Sequence, residues 1–256
     1  MKIFQQWWET FLGAITFYTI IYISSSWKIK FQGIATYASW VGVILGSILA
    51  LIDIILEFLG FPILTRSAVI VGFWIYLTGG LHLDGVMDTA DGLAIFNNPQ
   101  KRLDVMKDSL TGAFGVMAGC FIILLKIIAL SDLSDNRSLI LMATLGWGRW
   151  GQIVAIACYP YLRKEGKGAF HQEKIKPILD ICISFCFYLI FSGIVIFFNP
   201  IKAELLLQML GYGVGISLIT GFWFYKKLGG HTGDTYGAVV EWTEALFLFL
   251  LTRIDN

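Results

Sequence analysis

Residues 31–52 read FQGIATYASWVGVILGSILALI, 22 positions without one Asp, Glu, Lys or Arg. A helix needs about 20 mostly apolar residues to cross the hydrocarbon core of a bilayer, and the stretch lacks the strand alternation of a membrane barrel. The same test applied outward finds charge-free runs at 10–27, 67–83, 109–125, 181–201 and 205–225. Two further stretches are interrupted: 138–162 carries Arg149, and 236–254 carries Glu241, Glu244 and Arg253. The pattern predicts an all-α fold, a polytopic integral membrane helical bundle of about seven to eight transmembrane helices, in a single domain over 1–256. The first apolar run is followed directly by another with no small-residue cleavage site, so it is not read as a removable signal peptide.

Composition points the same way. The chain is 57% hydrophobic and 14% charged, where soluble domains carry about 25% charge. A disordered protein, a coiled coil and a highly charged nucleic-acid binder are excluded. Nineteen basic against 18 acidic residues, a net +1, produce no field that would attract nucleic acid. Cys120, Cys158, Cys182 and Cys186 have no zinc or redox spacing and are expected as small buried hydrophobes.

Cytoplasmic loops are enriched in Lys and Arg. Sorted by alternate loops, twelve basic residues fall on one side, in 28–30, 84–108, 159–177 and 226–235, and five on the other. The richer side is expected in the cytoplasm. Lys126 near a span end is expected to snorkel, and Asp53 and Glu57 to sit solvated at an interface.

Residues 79–115, GGLHLDGVMDTADGLAIFNNPQKRLDVMKDSLTGAFG, hold five acids at one predicted cytoplasmic edge. On a helix, Asp84, Asp88 and Asp91 fall at i, i+4 and i+7 and share a face, and Asp104 and Asp108 are also one turn apart. Like charges so placed repel unless a divalent cation lies between them, and all-oxygen ligands favour Mg2+ or Mn2+ over zinc. Lys101, Arg102 and Lys107 stand beside the acids, so the segment combines metal-binding and phosphate-binding groups, the parts of a phosphoryl-transfer site. Asp84, Asp88 and Asp91 are the predicted Mg2+ ligands, with Asp104 and Asp108 as catalytic base or further ligands. His82 is a candidate catalyst and Arg102 and Lys107 candidate phosphate contacts. A solvated acidic loop capping two helices is the competing reading.

A second polar island, residues 229–244 (GGHTGDTYGAVVEWTE), offers Asp234 as a helix cap and Glu241 and Glu244 on the following helix. Arg149, in GWGRWG, is an intramembrane arginine, which marks function by default; it would pair with an acid or bind a phosphate. Asp234, Glu241 and Arg149 complete the predicted substrate-binding set. No Walker-type phosphate loop is present.

These segments, GGLHLDGVMDTADGL, KRLDVMKDSLTGAFG, LGWGRW, PYLRKEGKG and GDTYGAVVEWTEALFL, occur in an order that resembles the cobalamin synthase (adenosylcobinamide-GDP ribazoletransferase) family from about residue 33 to 250. The N-terminal FYTIIYI of residues 17–23 departs from it, since family members often carry an Arg and prolines there. The resemblance implies a Mg2+-dependent enzyme of the bacterial inner membrane with a cytoplasmic active site. Its substrates would be adenosylcobinamide-GDP and alpha-ribazole or its 5'-phosphate, with release of GMP. The oligomeric state stays open, a homo-oligomer included. The alternative is a CDP-alcohol phosphotransferase-like membrane enzyme: Asp88-x2-Asp91-Gly92 and Asp104-x3-Asp108 partly follow that pattern. Ile95 and Phe96 replace its Ala-Arg pair, and Gln100 stands where its later Gly should be. A transporter is disfavoured because most acids fall in one loop instead of at the bilayer midplane.

Overall fold

The computed structural model describes residues 2–163, 175–199 and 202–255. Lys164, Lys167 and Lys174 of the basic 159–177 loop lie outside them. All named elements are helices: α1 (Lys2–Tyr18), α2 (Ala38–Phe58), α3 (Ile63–Leu77), α4 (Leu81–Leu93), α5 (Pro99–Val105), α6 (Ala113–Asp132), α7 (Arg137–Cys158), α8 (Pro177–Phe198), α9 (Ala203–Leu228) and α10 (Gly233–Asp255).

Among the described residues, five helices are long and apolar enough to cross a membrane, or six if α3 and α4 count as one broken span. The ten helices of the described residues are compatible with the expected seven to eight spans, but two of the apolar runs behind that number are not continuous helices. The 10–27 run is helical only to Tyr18. Beyond it the Ile20 N–H donates to the Leu77 carbonyl (2.9 Å), which diverts the chain to the end of α3. Lys30 then pairs with Glu9 (3.1 Å), folding the connection back on α1. The 67–83 run breaks at Gly79 and Gly80, whose φ of 60° and 68° suits glycine, and α4 leaves at 89° to α3. With 13 residues, about 20 Å of helix, and four ionisable side chains, α4 is too short and too polar to cross a bilayer by itself.

α7 and α10 form the centre. The most apolar 18 residues of α7 are 94% buried, and Ala238, Val239, Val240, Ala245, Phe247 and Leu248 of α10 are fully enclosed. The polar residues that disqualify α10 as a lipid-facing span are paired within the bundle. α6, α8 and α9 turn apolar side chains outward, and all four cysteines are exposed. This corrects the expectation of burial: a small hydrophobe on an outward apolar face needs no enclosure.

α2 crosses α7 through Gly42-x3-Gly46, a small-residue spacing that lets helix backbones approach. A Cβ at Gly42 would meet the Leu145 carbonyl and one at Gly46 the Met142 Cα. Gly46→Leu should therefore cost about 1–3 kcal/mol by overpacking, read as a lower unfolding midpoint in detergent. An unchanged midpoint would mean the contact is loose.

Polar residues gather at the two ends. At one end Asp53 accepts from Arg137 Nε (2.7 Å) and Nη2 (3.0 Å), and Arg66 pairs with Glu57 (3.0 Å). Asp53 is 3% exposed. The expected solvated position is wrong for Asp53 because the guanidinium of Arg137 follows it inside; Glu57 is exposed as expected. At the other end the loops at 84–108, 159–163 and 229–235 meet, three of the segments sorted together by charge.

Candidate active site

That second end carries a cavity of about 320 Å3 between α4, the α5–α6 turn, the segment after α7 and the start of α10. Backbone pairing builds it. The Leu162 N–H donates to His231 O and the His231 N–H to Pro160 O, both at 2.8 Å, which sets Arg163 opposite Asp234. Gly85 lets α4 lie on the first turn of α10, where a Cβ would strike the Asp234 backbone. α10 is capped by Thr232 and not, as expected, by Asp234: Thr235 N–H donates to Thr232 Oγ1 (3.2 Å) and Thr232 N–H to Thr235 Oγ1 (2.7 Å). Reciprocal capping of this kind leaves Asp234 to accept from Arg163 Nη2 (2.7 Å).

Of the predicted residues, His82, Asp84, Lys107 and Asp234 line the cavity. Asp88 follows Asp84 by one turn of α4, half-buried. Its carboxyl is pushed up to about 7, first by burial, then by the carboxylates of Asp84 and Asp234, against Arg163. Burial likewise raises Asp234. Negative charge is thus concentrated where α4 meets α10, with Arg163 as the cation that relieves it.

Asp91 shares the helix face of Asp84 and Asp88 but has other partners. Its oxygens accept the N–H groups of Gly112 (2.6 Å) and Gly115 (2.8 Å) at the start of α6, where a carboxylate satisfies free donors and the helix dipole. Among the described residues no three His, Cys, Asp or Glu side chains converge in a metal-binding group. Asp91→Ala should cost about 1–2 kcal/mol as a lost cap, equally with and without Mg2+. A loss confined to Mg2+-containing buffer would return Asp91 to the ligand set.

Asp104 and Asp108 lie on the exposed side of α5 and its turn. Asp104 accepts from Gln100 (3.0 Å) and Asp108 from the Leu110 N–H (3.0 Å). Met106 and Lys107, between them, are the residues that face the cavity. Arg102 donates to the carbonyls of Ile95 (2.7 Å) and Lys227 (3.0 Å), tying α5 to α9.

Arg149 and Glu241 sit within the bundle, off the cavity wall. Arg149 Nη1 donates to Glu244 Oε1 (2.6 Å), and Lys126 Nζ donates to Glu244 Oε2 and Glu241 Oε2, both at 2.7 Å. Lys126 also stands 4.1 Å over the Trp74 ring. The expected snorkelling of Lys126 is overturned: it is 3% exposed, because two carboxylates in the core outweigh a climb to water. Sequence reasoning missed Arg163 and Gln152 as cavity residues. Arg163 had a signal, its place in PYLRKEGKG; Gln152 had none.

The profile of the cobalamin-5-phosphate synthase family matches residues 10–252. The chain belongs to this family. Cobalamin-5-phosphate synthase relatives include proteins named adenosylcobinamide-GDP ribazoletransferase. One from Trichormus variabilis is 52% identical over 94% of this chain and 95% of its own length. A second, from Synechocystis sp., is 45% identical over 98% and 100%, and a third, from Thermosynechococcus vestitus, is 46% identical over 96% of each. No solved structure matches the chain. The cavity wall of this family member combines the carboxylates of Asp84 and Asp234 with the cations of Lys107 and Arg163.

Proposed function

We propose that this chain is an adenosylcobinamide-GDP ribazoletransferase that joins adenosylcobinamide-GDP to alpha-ribazole, or to its 5'-phosphate, and releases GMP. The observation that carries the reading is the cavity itself, with Asp84 and Asp234 against Lys107 and Arg163 at the end of an apolar bundle, and Asp88 one turn beyond Asp84 on α4. Mg2+ is usually held by one or two carboxylates plus substrate phosphates and water, so Asp84 and Asp88 fit it without a third protein ligand. Burial first, and then the carboxylates of Asp84 and Asp234, raise the Asp88 carboxyl; a divalent cation would offset the repulsion among the three. When bound, the ion supplies charge neutralisation for the diphosphate and for the leaving phosphate.

The chain's own residues supply the rest. Lys107 and Arg163 orient phosphate oxygens at the cavity mouth. An acceptor hydroxyl attacks the phosphorus that carries the cobinamide arm: one O–P bond forms, the P–O bond to the GMP phosphate breaks, and GMP departs with the bridging oxygen. His82 lies within the cavity wall, 1% exposed, with both ring nitrogens unbonded. Its imidazole accepts the hydroxyl proton as that bond forms.

The positive-inside bias and the meeting of those loops at one end support a cytoplasmic active site in the bacterial inner membrane, with the apolar outer faces against lipid. The test is incubation of purified protein with adenosylcobinamide-GDP, alpha-ribazole and Mg2+. Formation of the joined corrinoid with equimolar GMP is expected, and chelation should stop it. Release of CMP from a CDP-alcohol, with no GMP from the corrinoid, would replace this reading with the CDP-alcohol phosphotransferase one.

A further inference from the structure

We propose that the inner wall of the cavity, formed by Gln152 and His82, is a subsite for the ribose hydroxyls of the acceptor, which therefore binds without donor or metal. The inference rests on the ribazoletransferase reading and adds where the acceptor sits. Gln152, on α7, is 4% exposed and its Oε1 has no hydrogen-bond partner; His82 is 1% exposed and neither ring nitrogen has one. Both line the cavity. Buried polar groups are nearly always paired, and those that are not call for a ligand, a water or a functional role. The Tyr18 ring lies near-parallel to the imidazole, with centroids 6.2 Å apart and planes 26° apart.

Polarity divides the cavity. Its charged residues, Asp84, Lys107, Arg163 and Asp234, are all more exposed than Gln152 and His82, so charge lies toward the mouth and neutral groups lie deep. The cations of this wall, Lys107 and Arg163, are both more exposed than Gln152 and His82, so a diphosphate is met by charge nearer the mouth. An apolar ring there would strand the Gln152 acceptor at the full cost of desolvation. Vicinal hydroxyls both donate and accept, as an amide and an imidazole do. A neutral polyol inside and an anionic diphosphate outside thus match each end to its substrate, and the reacting hydroxyl lies beside the imidazole.

The full chain in detergent, free of Mg2+ and donor, would be titrated calorimetrically with alpha-ribazole and with the base lacking its ribose. Adenosylcobinamide-GDP would be titrated separately. Gln152→Met and Gln152→Asn are compared with wild type. Expected are measurable alpha-ribazole binding by wild type, a loss of about ten- to a hundredfold in Gln152→Met, partial recovery in Gln152→Asn, and unchanged donor affinity, which also reports folding. The bare base should bind wild type and Gln152→Met alike, because the lost contact is to the sugar. Wild-type affinity for alpha-ribazole in Gln152→Met, an equal loss for the bare base, or a loss on the donor side would each overturn the subsite. Product formation by wild type with Mg2+ tests the function separately, so either idea can fail alone.

Discussion

Asp88→Asn abolishes turnover while making the metal-free protein harder to unfold: this is the expected result at the junction of α4 and α10. Loss of one carboxylate from a site that stabilises developing charge costs about 10²–10³ in kcat, so activity should fall by at least that factor at saturating Mg2+. The stability effect has the opposite sign. The Asp88 carboxyl is raised from an ordinary 3.8 to about 7 by burial and by Asp84 and Asp234. The folded protein therefore binds this proton more tightly than the unfolded chain does. Its contribution to stability is present below 3.8 and is lost as pH climbs through about 7. At pH 8 the wild-type carboxylate is charged and opposed, whereas the amide is not, so the variant should melt higher in chelator. The midpoint gap should close toward pH 4 and reverse in Mg2+, which stabilises only the carboxylate form. Equal melting at pH 8 in chelator, or retained turnover, would separate Asp88 from the charge cluster.

Lys126→Met should be the most damaging single change to the fold. It leaves Glu241 and Glu244, 4% and 0% exposed, facing one another with Arg149 as the remaining cation. Removing one partner of a buried pair costs about 3–5 kcal/mol, a large share of a total stability of about 5–15 kcal/mol. Low yield and a much reduced unfolding midpoint in detergent are expected. Lys126→Met combined with Glu241→Gln removes one charge of each sign and should recover part of the loss, since only Glu244 with Arg149 then remains charged. If the double variant is no better than the single, the group does not act as a coupled network.

The helical membrane architecture was readable because hydrocarbon admits few solutions: long charge-free runs must be helices. α4 was legible only conditionally: the i, i+4, i+7 spacing of Asp84, Asp88 and Asp91 makes one face if the segment is helical, and a solvated loop was the competing reading. The fate of each carboxylate on that face was not legible. Asp91 meets α6 and its free N–H groups, Asp84 meets the cavity, and Asp88 lies among neighbouring acids, although all three look alike in sequence. Asp104 and Asp108 show the same limit: they are one turn apart in sequence, and only the structure places them on the exposed side of α5 and the turn after it. Arg163 and Asp234 are 71 positions apart, and only the pairing of 160–162 with His231 makes them neighbours.

From the sequence alone came the class of fold, the segments whose acids and bases gather at one end of the molecule, and the family resemblance, because apolar run length, loop charge and ordered local motifs are properties of contiguous residues. Only the tertiary structure decided that 67–83 bends into two helices, that Lys126 is held inside by two glutamates, and that Gln152 meets the cavity. Those outcomes depend on which groups distant segments bring within hydrogen-bond reach, and the energy of a buried charge or amide is set by that partner and not by its own neighbours in the chain.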